Sequence, residues 1–206
     1  MKLLGYLTFG AICIGVFIVA TIYFPHDATL SEKAVGPDLY LKNAKVYVRE
    51  HAYNRSLHHL DLAIQSIQAI EQELDENSKK TVDVAINRLK LVYDEILNDS
   101  LQENDMNDAF MRALNALSFA EIRVSEHFIE SDDLESARIA LKYGKVHIKN
   151  ALNYSNGNAR DYELHIYEEI DAVMDDDSLT KQEIITKLEH MLAELDTLVE
   201  GDQAKL

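Results

Sequence analysis

The chain has 206 residues, with 20 Lys and Arg against 36 Asp and Glu, so its formal net charge is −16. This charge excludes a nucleic-acid partner, because binding to phosphates requires clustered Lys and Arg side chains. Only one cysteine, Cys13, occurs, which excludes a zinc finger. The residues after the first 30 carry the whole negative charge, and they are numerous enough for one domain with a sizeable core.

The first predicted element is an uncharged apolar segment at residues 3–24, LLGYLTFGAICIGVFIVATIYF. As a helix it would be ~30 Å long, which matches the hydrocarbon core of a membrane. A cleaved signal peptide usually has a shorter apolar core of ~7–15 residues and a small-x-small cleavage site, whereas Pro25 follows this segment directly. We therefore predict an uncleaved transmembrane signal anchor over residues 1–24, with a cleaved signal peptide as the alternative.

The charges that flank this segment predict its orientation. Lys2 and the amino terminus precede it, and Asp27 and Glu32 follow it. The positive-inside rule then places the N-terminus in the cytoplasm and residues 25–206 outside, in the periplasm, if the membrane is the inner membrane of a bacterium. No second apolar segment of membrane length follows, which argues against a single-chain channel or transporter.

Two composition changes divide the rest of the chain. Both prolines lie within residues 25–37, which we interpret as a linker, and only three glycines follow. Residues poor in Gly and Pro and rich in Ala, Leu, Glu and Lys favour helices. Residues 38–200 are therefore predicted to form a soluble acidic helical bundle, and residues 201–206 a frayed tail.

Within this domain, apolar residues recur at spacings of three and four, as on the buried faces of helices. The pattern predicts an all-α fold, an antiparallel bundle of five or six helices. Thr180 and Glu183 have the spacing of a capping box and predict the start of the last helix. The predicted helices cover residues 38–74, 79–98, 106–130, 133–154, 159–174 and 180–200.

An internal repeat is a further hypothesis. The segment from Arg55 to Ala63 aligns with the segment from Arg112 to Ala120, and the helices that follow also align. The first four helices would then be two duplicated helical hairpins. The alternative is that any two amphipathic helices align to this extent.

Eight histidines raise the question of a metal site. A di-iron site in a bundle requires Glu-x-x-His on two helices, and no histidine here has Glu three residues before it. His51 and His58 are seven residues apart and would share one face of a helix, so they are weak metal candidates. We interpret the histidines as structural and predict no metal and no cofactor.

No catalytic motif is present. The sequence contains neither a Gly-rich phosphate loop nor a Gly-x-Ser-x-Gly elbow, and Cys13 lies in the predicted anchor. Glu121 falls beside an apolar stripe, with Arg123 and Arg138 as candidate partners for a buried ion pair. The sequence therefore predicts that the protein is not an enzyme.

Two further features bear on binding. Gly144 lies on an apolar stripe one turn after Ala140, where the missing side chain allows either close helix packing or room for a ligand. Tyrosines offer apolar area with a polar tip and could line a groove. The candidates are Tyr40, Tyr47, Tyr53, Tyr143, Tyr154, Tyr162 and Tyr167.

These features favour a membrane-anchored, non-enzymatic scaffold, adaptor or chaperone-like module that binds a protein partner with a helical groove. The alternative is a bundle that senses a ligand or a metal. A third hypothesis, an enzyme whose site is assembled from scattered Glu and His residues, is less favoured.

Overall fold

The computed structural model describes residues 26–72 and 74–201, with side chains from residue 35 onward. The described residues from Val35 onward belong to one compact unit. The predicted anchor at residues 1–24 and all but the first residue of the predicted tail lie outside the described residues. No helix in the described part is both long and apolar enough to cross a membrane.

The prediction of an all-α fold is confirmed: the described part contains seven helices and no strand. The first helix begins at His26, so residues that we interpreted as a linker are helical, and Pro37 lies inside that helix. A proline removes one backbone hydrogen bond, and a helix can continue past it with a kink. The helices are α1 (His26–Arg49), α2 (Tyr53–Glu71), α3 (Glu76–Leu97), α4 (Glu103–Glu130), α5 (Leu134–Ala151), α6 (Gly157–Asp175) and α7 (Lys181–Glu200).

A turn at residues 50–52 corrects the prediction of one continuous helix over residues 38–74. The N–H of Ala52 donates to the carbonyl of Tyr47 at 2.8 Å, and the N–H of His51 donates to that of Val48 at 3.0 Å. His51 has a φ of 57°, and these features together form a Schellman motif. A search for Gly and Pro cannot find this turn, because a histidine occupies the left-handed position.

Helix α4 is the centre of the bundle. Of its 28 residues, 16 are buried, and it contributes to two hydrophobic clusters. The first cluster joins α4 to α1, α2 and α3, with Leu41, Leu60, Leu89 and Phe110 among its members. The second joins the later part of α4 to α5, α6 and α7, with Ile122, Ile166 and Leu195. The apolar stripes of the sequence therefore face a common core helix.

The later helices follow an up-and-down order. Each consecutive pair from α2 to α7 is in contact, and α7 also packs against α4 and α3, as the short connections of a bundle require. The capping box of Thr180 and Glu183 is confirmed at the start of α7. At the other end of α7, Arg112 donates to the carbonyls of Leu198 and Val199. The duplication of the hairpins α2–α3 and α4–α5 stays a prediction.

Candidate functional site: a groove between α1 and α5

A buried polar contact connects α1 with α5. Asp38 on α1 is only 6% exposed and His147 on α5 is 1% exposed. Nδ1 of His147 lies 2.7 Å from Oδ1 of Asp38, and Asn150 donates to the second oxygen of Asp38 at 2.5 Å. The carboxylate thus has a partner on each oxygen, as a buried charge requires.

The environment of His147 favours its protonated form. Burial lowers the pKa of His147, but the carboxylates of Asp38 and Glu121 raise it by more, and the net direction is upward. Glu121 on α4 is partly buried, and burial raises its pKa to about 7 although His147 opposes the shift. A histidine with a raised pKa and a carboxyl group whose pKa is about 7 therefore interact inside the bundle.

The ion pair predicted for Glu121 is wrong. Arg123 bonds to Glu126 at 2.5 Å, and Arg138 pairs with Asp177 on the surface. Glu121 faces α5 instead, because it lies over Gly144: a Cβ atom on Gly144 would be 3.5 Å from Cβ of Glu121. The position of Glu121 beside an apolar stripe was predicted from the sequence, but the side chain opposite it was not.

Beside Asp38, a surface groove of about 580 Å³ lies between α1 and the end of α5. The apolar side chains of α1 that line it remain exposed: Val35 by 39%, Leu39 by 53% and Val46 by 43%. Residues 35, 39 and 46 share one face of a helix. An apolar stripe of α1 is therefore left uncovered by the bundle.

Basic side chains border the same groove. Lys42, Lys45 and Arg49 line it, and among the residues whose side chains are described Asp38 is the only acidic one that does so. Lys45 bonds to Asn107 at 2.7 Å, and Arg49 pairs with Glu103 at 2.8 Å. In a chain of net charge −16, this groove is a local concentration of positive charge.

Tyr154 closes the groove on the side of α5. The ammonium of Lys45 lies 4.7 Å from the centre of its ring, a cation–π contact. Burial and the carboxylate of Asp38 raise the pKa of the Tyr154 phenol to about 12, so the phenol keeps its proton at physiological pH. Of the tyrosines predicted to line a groove, Tyr154 lines this one, whereas Tyr40 and Tyr47 lie near the ring of His59.

The structure does not bring the weak metal candidates His51 and His58 onto one helical face. His51 occupies the turn before α2, where its Nδ1 is 3.2 Å from the hydroxyl of Tyr53. His58 is exposed on α2, with its ring 5.7 Å from that of His59. As the side chains of the described residues are placed, no three His, Cys, Asp or Glu stand close enough together to hold a metal ion.

Gly144 and Ala140 lie where α5 packs against α4, and both are buried. A Cβ atom on Gly144 would stand 3.5 Å from atoms of Ser118, Glu121 and Ile122. This is ordinary van der Waals contact, so the space beside Gly144 is about the size of a methyl group. The geometry favours close packing over room for a ligand.

The groove was not predicted from the sequence, although its residues follow a readable pattern. Residues 35, 39, 42, 46 and 49 alternate in spacings of four and three and combine apolar with basic side chains. That spacing marks one face of a helix. Only Val35 lies in the segment that we interpreted as a linker, and the other four residues lie in the predicted first helix, where the pattern was not recognised as a separate face. The comparisons add nothing to this assignment, since no family model, no curated protein and no solved structure matches the chain.

Proposed function

We propose that the chain is a non-enzymatic adaptor that binds a protein partner in the groove between α1 and α5. The occupant that fits best is an amphipathic helix with an apolar stripe flanked by Asp and Glu. The observation that carries this proposal is the exposed stripe of Val35, Leu39 and Val46 bordered by Lys and Arg, in a domain that is otherwise strongly acidic.

The dimensions and the chemistry agree with a helix in a groove. Residues 35–49 of α1 extend over about 21 Å, or four helical turns. Leu39 is already about half buried, so covering the rest of its side chain contributes about 1–1.5 kcal/mol. Charge complementarity selects the partner and speeds association. Lys42 makes no ion pair within the described part of the chain, so its charge is available to a partner.

The test uses two synthetic helical peptides with the same Leu stripe, one flanked by Glu and one by Lys. Their binding to the purified full chain is measured by fluorescence anisotropy at two salt concentrations. We expect the Glu-flanked peptide to bind at least about tenfold more tightly, a difference of about 1.4 kcal/mol. We also expect this binding to weaken with salt, because exposed charges are screened.

Matched variants locate the site. Leu39→Ser should weaken binding of the Glu-flanked peptide by about tenfold or more, since it removes one buried Leu contact. Leu91→Ser is the control, because Leu91 on α3 is exposed to the same degree, 54% against 53%, and does not line the groove. Equal binding of both peptides, or equal loss in both variants, would contradict the proposal. Binding of vesicles with anionic headgroups in place of the peptide would assign the groove to lipid.

We further propose that residues 3–24 anchor this adaptor in a membrane, with the helical domain outside the cytoplasm. The support is the uncharged apolar segment and its flanking charges. An alkaline phosphatase fused after Leu206 should be active in a bacterial host. A stable but inactive fusion would reverse the orientation. Turnover of a substrate by the purified chain, without added protein, would overturn the non-enzymatic role.

A further inference from the structure

Three ionisable side chains from three helices form a buried cluster beside the groove between α1 and α5. They are Asp38 of α1, Glu121 of α4 and His147 of α5, and the name buried cluster is kept for these three. Nδ1 of His147 lies 2.7 Å from Oδ1 of Asp38, and both residues are almost fully buried. Asp38 also lines the groove, so the charge of the cluster acts directly on any group bound there.

Each helix packed against α5 contributes charge near His147. The carboxylates of Asp38 and Glu121 both act on its ring. Nε2 of His147 is buried and has no hydrogen-bond partner among the described residues, so Glu121 acts through its charge. On the α6 side of α5, Asp171 pairs with Lys145, which lies on a different face of α5 from His147. The two carboxylates are therefore the charges that control the imidazole.

We propose that the buried cluster makes binding in the groove pH-dependent, so that an acidic helix binds while the cluster is neutral overall and binds more weakly once the cluster has lost a proton. This inference rests on the proposed function, since it concerns the regulation of the same groove. It identifies proton uptake as the signal that favours the bound state.

The sign follows from the charges of the three groups. With Asp38 ionised and His147 protonated, their charges cancel at pH 6. Burial raises the pKa of Glu121 to about 7, so this carboxyl group is protonated at pH 6 and ionised at pH 8. The net charge of the cluster therefore changes from zero to −1 across neutral pH. Loss of the proton from His147 instead would give the same net charge.

The change in charge discriminates between partners. A negative charge beside the groove opposes the Asp and Glu side chains of an acidic helix, while Lys42, Lys45 and Arg49 keep their charges. One partly screened charge about a helix diameter away changes affinity by about fivefold. By linkage, a partner that prefers the protonated cluster also raises the affinity of the cluster for the proton. Binding near pH 7 should therefore take up about 0.3 proton per partner.

The experiment measures both synthetic peptides, with Glu and with Lys flanks, by fluorescence anisotropy on the purified full chain at pH 6 and pH 8. The Glu and Lys side chains of the peptides do not titrate in this range. We expect the Glu-flanked peptide to bind about fivefold more weakly at pH 8, and the Lys-flanked peptide to bind no more weakly. Calorimetry at pH 7 in two buffers of different ionisation enthalpy measures the proton uptake. Circular dichroism at both pH values checks that the chain stays folded.

Variants assign the effect to the cluster. Glu121→Gln keeps the cluster neutral while His147 is protonated, so its affinity for the Glu-flanked peptide should differ by less than about twofold between pH 6 and pH 8. Glu168→Gln is the matched control: it removes one exposed carboxylate on α6 and should keep the pH dependence of the wild type.

The outcomes separate this inference from the proposed function. Equal affinity of the wild type for the Glu-flanked peptide at both pH values would overturn the pH dependence and leave the groove as a binding site. Parallel weakening of both peptides, or an unchanged pH dependence in Glu121→Gln, would also overturn it. Absence of binding at pH 6 as well as at pH 8 would overturn the proposed function and this inference together.

Discussion

Nδ1 of His147 on α5 lies 2.7 Å from Oδ1 of Asp38 on α1, although 109 residues separate them in the chain. Both side chains are almost fully buried. The contact attaches α1 to the bundle directly beside the groove that Asp38 lines. The exposed stripe of α1 is thus held in place by a polar contact beneath it.

We predict that Asp38→Ala lowers the free energy of unfolding by about 3–5 kcal/mol, because it leaves a buried imidazole and Asn150 without their partner. The measurement is denaturation by urea, followed by circular dichroism. Asp94→Ala is the control, since Asp94 is exposed on α3, and it should change stability by less than about 0.5 kcal/mol. A loss in Asp38→Ala no larger than in the control would show that the contact does not hold α1 to α5.

We predict that Glu121→Gln stabilises the fold at pH 8 by about 1–3 kcal/mol and has almost no effect near pH 4.5. Burial raises the pKa of Glu121 from 4.5 to about 7. A carboxyl group with a raised pKa supports folding while it is protonated. Its contribution is complete below the unfolded pKa of about 4.5 and is lost as the pH rises through about 7.

The pH dependence of stability, measured by urea denaturation from pH 4.5 to pH 8, tests this sign. The wild type should lose stability over this range relative to Glu121→Gln. Glu168→Gln, at an exposed position on α6, serves as the control and should follow the wild type. A Glu121→Gln profile parallel to that of the wild type would mean that Glu121 ionises freely in the folded protein.

We predict that Gly144→Ala is neutral or stabilises the fold by up to about 1 kcal/mol, because Ala favours a helix interior. The added Cβ would meet its neighbours at 3.5 Å, without a clash. Gly144→Leu should instead cost about 1–3 kcal/mol, because the larger side chain cannot fit between α4 and α5. Thermal unfolding of both variants is the measurement. If Gly144→Leu were as stable as the wild type, the space beside Gly144 would be large enough for a ligand.

The all-α fold could be predicted because apolar spacing alone marks the buried face of each helix. Leu60, Leu89 and Leu195 lie on predicted stripes and are fully buried. The capping box of Thr180 and Glu183 was equally readable, since both partners are local in the chain. Features that depend only on residues within one or two helical turns can thus be predicted from the sequence.

Long-range polar contacts could not be predicted from the sequence in this way. Nothing near Asp38 in the sequence indicates that it faces His147, because the contact depends on how α1 packs against α5. The partner of Glu121 was mispredicted for the same reason. The contacts of His165 with Glu194 and of His190 with Glu169 likewise depend on the packing of α6 against α7.

The turn between α1 and α2 leads to the last prediction. His51 has a φ of 57°, and a residue other than Gly pays about 1–2 kcal/mol for this left-handed conformation. We predict that His51→Gly stabilises the fold by about 0.5–1 kcal/mol, after the larger entropy of Gly in the unfolded chain is subtracted. His58→Gly is the matched control: in the interior of α2 the same change should destabilise by about 0.5 kcal/mol. Urea denaturation of both variants gives the two values, and a loss of stability in His51→Gly would show that the contact with Tyr53 outweighs the backbone strain.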